Sequence, residues 1–179
     1  MHARHTRKKV RGLRRKCSAM IKGIEEYTKE FPQKNDRDYW HLHLPVAKAF
    51  IDSLKTPRSV RRLCIQTLIE QTNHLINIRQ DKGTFTRIVA AIDLPELWDS
   101  QIIVFFSQDY YDSFFQRDSE EQRWTPLPSS SGFRAEWGLK IPQNLIVKGF
   151  KEEIKDEDYC HIGEIWFVGE LINQQPDHV

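Results

Sequence analysis

The sequence predicts a single α+β domain over residues 1–179, and three observations carry that expectation. Two long segments repeat apolar residues at three- and four-residue spacing, as helices seated on a core do. Three shorter runs, 85–92, 102–106 and 162–171, are rich in β-branched and aromatic residues. A hydrophobic fraction of 39% with 11% aromatic residues lies well above that of disordered chains, so 179 residues suffice to bury a core.

The first helix is expected over 6–31. Val10, Leu13, Cys17, Met20, Ile21, Ile24, Tyr27 and Phe31 form one stripe, with Lys8, Arg11, Arg15, Lys22 and Lys29 on the other side. Pro32 would stop it, because the residue before proline is pushed out of the α region. In the next element Trp40, Leu42 and Leu44 alternate with Tyr39, His41 and His43, which predicts a half-buried strand. Thr56-Pro57 then opens a second helix, with threonine as N-cap and proline in the first turn. Its apolar residues from Val60 to Ile78 cover more than half of the circumference, so the helix should be buried on two sides.

Gly83 ends that helix, and the runs 85–92 and 102–106 follow as two strands joined across Leu94 to Asp99. Ser107 can cap a short helix reaching Arg117, with Tyr110, Tyr111, Phe114 and Phe115 on one side. Between 118 and 160 the pattern weakens. Pro126 to Gly132 reads as a loop, and Lys151 to Asp158 as a charged, mostly acidic run. A strand over 162–171 closes a body spanning 39–172, and the tail 174–179 should fray. The order after the first helix is β-α-β-β-α-β. It predicts a mixed or antiparallel sheet of about four strands with helices on one face, a ferredoxin-like split βαβ carrying an extra N-terminal helix.

Three cysteines, Cys17, Cys64 and Cys160, are odd in number and widely spaced, so they imply no disulfide framework and point to a cytoplasmic, reducing environment. The longest apolar run is strand-sized, which argues against a membrane partner. The formal charge of +2 hides a segregation. Residues 1–22 hold nine Lys/Arg and no acid, while the remainder carries 18 basic and 25 acidic residues, a formal charge of −7. Cations at a helix start oppose the macrodipole, so folding did not require them there.

Several stretches together resemble an uncharacterised bacterial and prophage family of unknown function. They are Lys9 to Arg15, Tyr39 to Val46, Phe50 to Pro57, Arg62 to Leu68 and Gly163 to Phe167. The resemblance spans nearly the whole chain. It implies a bacterial or phage cytosolic protein and assigns no activity and no site residue.

Two constellations could carry chemistry. The basic helix face could neutralise phosphates or an acidic protein surface through Lys8, Arg11, Arg15 and Lys22, extended by Arg58, Arg61 and Arg62. His41-Leu-His43 on a strand would point both imidazoles to one face, toward a metal or a phosphate. A metal needs a third ligand, for which His161 and Glu164 stand first, with His74 or Cys160 behind them. The His-x-Thr/Ser pair of two-histidine phosphoesterases is missing, as are a phosphate-binding glycine loop and a Cys-x-x-Cys pair. The residues therefore favour a non-enzymatic binding or regulatory protein of bacterial or phage origin that contacts nucleic acid or an acidic protein partner, without metal or cofactor. A small histidine-dependent hydrolase or phosphoesterase at His41 and His43 is the alternative, and an immunity or anti-defence protein that blocks a partner is another.

Overall fold

The computed structural model describes residues 12–44, 56–79, 83–97, 99–116, 122–156 and 159–170. Among them are four helices, α1 (Leu13–Tyr27), α2 (Arg58–Ile78), α3 (Gln108–Phe115) and α4 (Ser131–Trp137). Six strands, β1 (Tyr39–His43), β2 (Arg87–Leu94), β3 (Gln101–Phe105), β4 (Gln122–Pro126), β5 (Ile146–Asp156) and β6 (Tyr159–Gly169), form one sheet in the order β1-β3-β2-β6-β5-β4. Every neighbouring pair is antiparallel.

The architecture is α+β, with a sheet of six strands rather than about four. Nor is the strand order that of the ferredoxin-like sandwich, in which the first strand lies inside the sheet. Here β1 is an edge strand paired antiparallel with β3. Helices also cover both faces. On one face Ile88, Ala90, Ile92, Ile102, Val104, Trp166 and Val168 pack under α1, α2 and α4. On the other, Val89, Ala91, Ile103, Phe105 and Phe167 meet Tyr111, Phe114 and Phe115 of α3 and Trp124 of β4. The second layer arises because β2 is apolar at successive positions, so both of its faces need cover.

The wide apolar arc of α2 is used as expected. Cys64, Ile65, Leu68, Ile69 and Leu75 are buried between α1 and the sheet. In α1, Cys17, Met20 and Ile24 face this core, and Met20 and Ile24 are 1% and 0% exposed. Burying each such side chain stabilises the fold by about 1.5–3 kcal/mol. The helix stops at Tyr27, not at Phe31. The Thr28 hydroxyl turns back to the Ile24 carbonyl (2.8 Å) and reaches the Gln71 side chain on α2 (2.7 Å), so a side chain ends the helix before Pro32 can. Tyr27, assigned to the apolar stripe, is 66% exposed. The proposed helix start at 6, Lys8, Arg11 and the tail 174–179 lie outside the described residues.

Ser107 caps α3 as expected, its hydroxyl accepting from the Tyr110 backbone N–H (3.3 Å), and the helix ends at Phe115. The segment 118–160 departs most from expectation. It supplies β4, the helix α4, which begins at the end of the expected loop 126–132, and the long strand β5, which takes in most of the charged run expected over 151–158. α4 packs Phe133 flat on Trp166, with ring centroids 4.7 Å apart. Its end, at Gly138 in the left-handed region (φ 58°), is held from α2. Arg62 donates to the Gly138 carbonyl (2.8 Å), and Arg58 donates to the Glu136 carbonyl while its guanidinium sits 4.9 Å from the Trp137 ring centre. Gln66 exchanges two 2.9 Å bonds with the backbone of Lys140. Arg58, Arg62 and Gln66 stand four residues apart, so one face of α2 clamps the backbone of 136–140.

Candidate functional site: a carboxylate–histidine cavity

On the α3 side of the sheet, three strands contribute one polar residue each to a common point: Asp93 of β2, Glu152 of β5 and His161 of β6. One ligand atom from each lies within 4.8 Å of the other two. Alternation and register put them there. Asp93 is opposite Ile165 on β6, Glu152 is opposite Gly163, and His161 is two residues before Gly163 on the same face. Gly163 is what lets them converge. A Cβ at that position would fall 2.4 Å from the Leu94 carbonyl oxygen and 2.5 Å from His161 Nε2, so the missing side chain makes room for the imidazole.

Two of the three are buried, Asp93 at 8% exposure and Glu152 at 6%. Glu152 is positioned from β4. Its Oε1 accepts from Trp124 Nε1 and from Gln122 Nε2, each at 2.9 Å. Asp93 is held through its backbone, whose N–H donates to Ser100 Oγ (2.9 Å). Its side-chain Oδ1 is buried and has no hydrogen-bond partner among the described residues. Burial, then repulsion from Glu152, pushes the Asp93 carboxyl up to about 6, with His161 pulling the other way. A buried carboxylate left unsatisfied beside a second one is a costly arrangement for folding alone.

The trio lines a cavity of about 350 Å³. Glu96 and Asp99 from the β2–β3 connection, Gln101 of β3 and the aromatic rings of Phe114 and Trp124 complete its wall. In that connection Leu97 is fully buried yet left-handed (φ 73°), a conformation that costs a branched side chain energy. Its burial fixes the turn that carries Glu96 and Asp99. One imidazole and two carboxylates suit a hard or borderline divalent cation, and three protein donors leave coordination positions open.

His41 and His43 occupy the same sheet face but not the same place. Both are exposed on the edge strand, with ring centroids 4.9 Å apart. His43 is opposite Gln101, which is opposite Ala91. Two strand spacings and two residues along β2 therefore put its Cα about 12 Å from that of Asp93. Among the described residues no third ligand joins the pair. Burial first, then His43 and Arg37, lowers the pKa of His41. Of the third ligands considered, His161 does enter a ligand cluster, but with Asp93 and Glu152. Glu164 turns to the other face and accepts from Trp166 Nε1 (3.0 Å). Cys160 is exposed one residue before His161, and His74 lies on α2 across the sheet.

The expected polyanion face divides. Arg15 and Lys22, with Arg14, are exposed on α1. Arg58 and Arg62 are engaged in the clamp on 136–140, and the Arg61 guanidinium lies 5.8 Å from the Trp137 ring centre. The sequence reading missed Asp93 and Glu152 as ligands. The available signal was an acid at the seventh residue of an otherwise apolar strand, Arg-Ile-Val-Ala-Ala-Ile-Asp-Leu.

No helix among the described residues is long and apolar enough to cross a membrane. The model of a family described as "Protein of unknown function (DUF3916)" matches residues 21–170, and the chain belongs to that family. No curated protein and no solved structure matches it.

Proposed function

We propose that this family member works through a divalent cation held by Asp93, Glu152 and His161. The observation that carries the reading is the buried Asp93 Oδ1, without a hydrogen-bond partner among the described residues, in reach of a second carboxylate and an imidazole. A divalent ion answers each part of that arrangement. It neutralises the two buried carboxylates, satisfies Oδ1, and leaves positions open for water or a ligand. Calorimetric titration of EDTA-treated protein with Mn²⁺, Zn²⁺ and Mg²⁺ tests it. One saturable site for at least one of the three ions, lost in Asp93→Asn, is the expected result. No saturable binding of any of them sinks the reading.

A second reading has its own support. Arg14, Arg15 and Lys22 are exposed on α1 away from Cys17, Met20 and Ile24, a charged outer side on a helix anchored by its inner one. That side suits contact with nucleic acid or an acidic protein partner, as for a cytoplasmic binding protein of bacterial or phage origin. Binding of a DNA or RNA duplex that weakens steeply as salt rises is the expected result. Absence of binding at low salt removes the nucleic-acid form of this reading.

A further inference from the structure

We infer that His41 and His43 form one half of a Zn²⁺ site whose other half is the same pair on a second copy of this chain, joined to the first along the β1 edges. The two imidazoles already stand as co-ligands do. Their centroids are 4.9 Å apart, and two rings on one tetrahedral ion at roughly 2.1 Å would stand about 5 Å apart. The pair lacks two further donors, and among the described residues none joins it. The free edge of the strand can supply them. β1 is the outermost strand of the sheet and is paired on one side only. Phe106 N–H donates to the Asp38 carbonyl (2.7 Å) and Leu44 N–H to the Ser100 carbonyl (3.3 Å), so the even-numbered positions bond inward to β3. Strand alternation then turns the backbone N–H and C=O of Tyr39, His41 and His43 outward.

A second β1 running antiparallel about a twofold axis at Leu42 sets His41 opposite the partner's His43, and His43 opposite the partner's His41. Each opposed pair exchanges two backbone hydrogen bonds, with Cα atoms about 5.5 Å apart, and all four imidazoles rise on one face. Four imidazoles close a tetrahedral site, and Zn²⁺ suits both that geometry and those donors. On the opposite face the same pairing covers Trp40 and Leu42, which a single copy leaves half-buried. Four backbone hydrogen bonds along a five-residue strand do not offset the loss of free motion on association, so the copies join when the ion is present.

The test is sedimentation velocity on full-length protein at high and low concentration, in EDTA and with ZnCl₂. We expect a monomer in EDTA and, at high concentration with Zn²⁺, a dimer that holds one ion between its two histidine pairs. Dilution should dissolve the dimer, because the site is complete only with both copies. Asp93→Asn should dimerise as wild type does, which keeps this result separate from the fate of the Asp93 trio. His41→Ala with His43→Ala replaces exposed side chains, so it should melt as wild type does in EDTA while losing dimerisation with Zn²⁺. Amide hydrogen exchange reads the ladder itself. The His41 and His43 N–H groups, which face outward in the monomer, should exchange about tenfold more slowly, or slower still, in the dimer. A protein that stays monomeric at high concentration with excess Zn²⁺ overturns the inference. So does a dimer that forms equally in EDTA, one that survives the double substitution, or one that leaves exchange at His41 and His43 unchanged.

Discussion

Asp93 and Glu152 stand on strands that are not neighbours, with β6 between them, yet their carboxylate oxygens lie within 4.8 Å of one another. They meet across Gly163, the one position of β6 at that level without a side chain to part them. This relationship makes the candidate site and also makes it costly to fold.

Removing the charge at Asp93 should stabilise the metal-free protein at pH 8. The folded carboxyl titrates near 6, against 3.8 without the fold, so the folded state binds the proton more tightly. Stability is therefore full below about pH 4 and is lost as pH rises through 6, a loss on the order of 3 kcal/mol at most. In EDTA, Asp93→Asn should melt higher than wild type at pH 8 and about equally at pH 3.5. Denaturant melts at the two pH values check this, and equal stabilities at pH 8 refute it.

Metal should reverse that ranking. At a free concentration of 100 times its Kd, a bound ion stabilises by about 2.7 kcal/mol, equivalent to about 5–10 °C in Tm for a domain of this size. Wild type should show that rise with Mn²⁺ or Zn²⁺, while His161→Ala and Asp93→Asn should show little. A rise of equal size in both variants would place the ion elsewhere.

Gly163→Ala is expected to be far worse than an ordinary strand substitution. The added methyl meets the Leu94 carbonyl and the His161 ring, and the carbonyl belongs to a paired backbone that cannot yield cheaply. A loss of about 2–4 kcal/mol, with impaired metal binding in whatever folds, is the expected outcome. Thermal melts and calorimetry read the two effects, and a neutral substitution would show that the sheet has slack there.

The α2 clamp makes an opposite statement about charge. If Arg62 served only a repulsive cationic patch, Arg62→Ala would be neutral or stabilising. Because it donates to the Gly138 carbonyl, its loss should cost about 1 kcal/mol. Denaturant unfolding decides between these.

On α1 the expectation is the reverse. Arg14→Glu with Arg15→Glu touches exposed positions, so stability should change by only about 0.5 kcal/mol per site. The same pair should abolish any salt-dependent binding to nucleic acid or an acidic protein. A binding isotherm across ionic strength, run beside a melting curve, separates contact from folding.

What the sequence disclosed was local. The arc of α2, the Ser107 cap and the β2 and β3 runs are legible because spacing and caps are short-range signals. β5 was not, because Lys148, Lys151, Glu152, Glu153 and Lys155 mask its alternation. One of those charges, Glu152, is buried and lines the cavity. His161 was legible as a ligand type, but its partners were not. Asp93 and Glu152 come from strands brought together by pairing across the whole chain, and His41-x-His43 drew attention because it is compact in sequence.

The β2–β6 ladder joins β1-β3-β2 to β6-β5-β4, with Asp93 on one side and Glu152 and His161 on the other. Roughly 70 residues of chain must be closed into a loop before that seam can zip, which makes it a slow, non-local step. An ion bridging the seam has its full ligand set only once the ladder is complete. Its free energy therefore falls on the unfolding rate and leaves the folding rate almost unchanged. Bound metal would then act as a kinetic latch: it would not help the two halves find each other, but it would lengthen the time they stay joined.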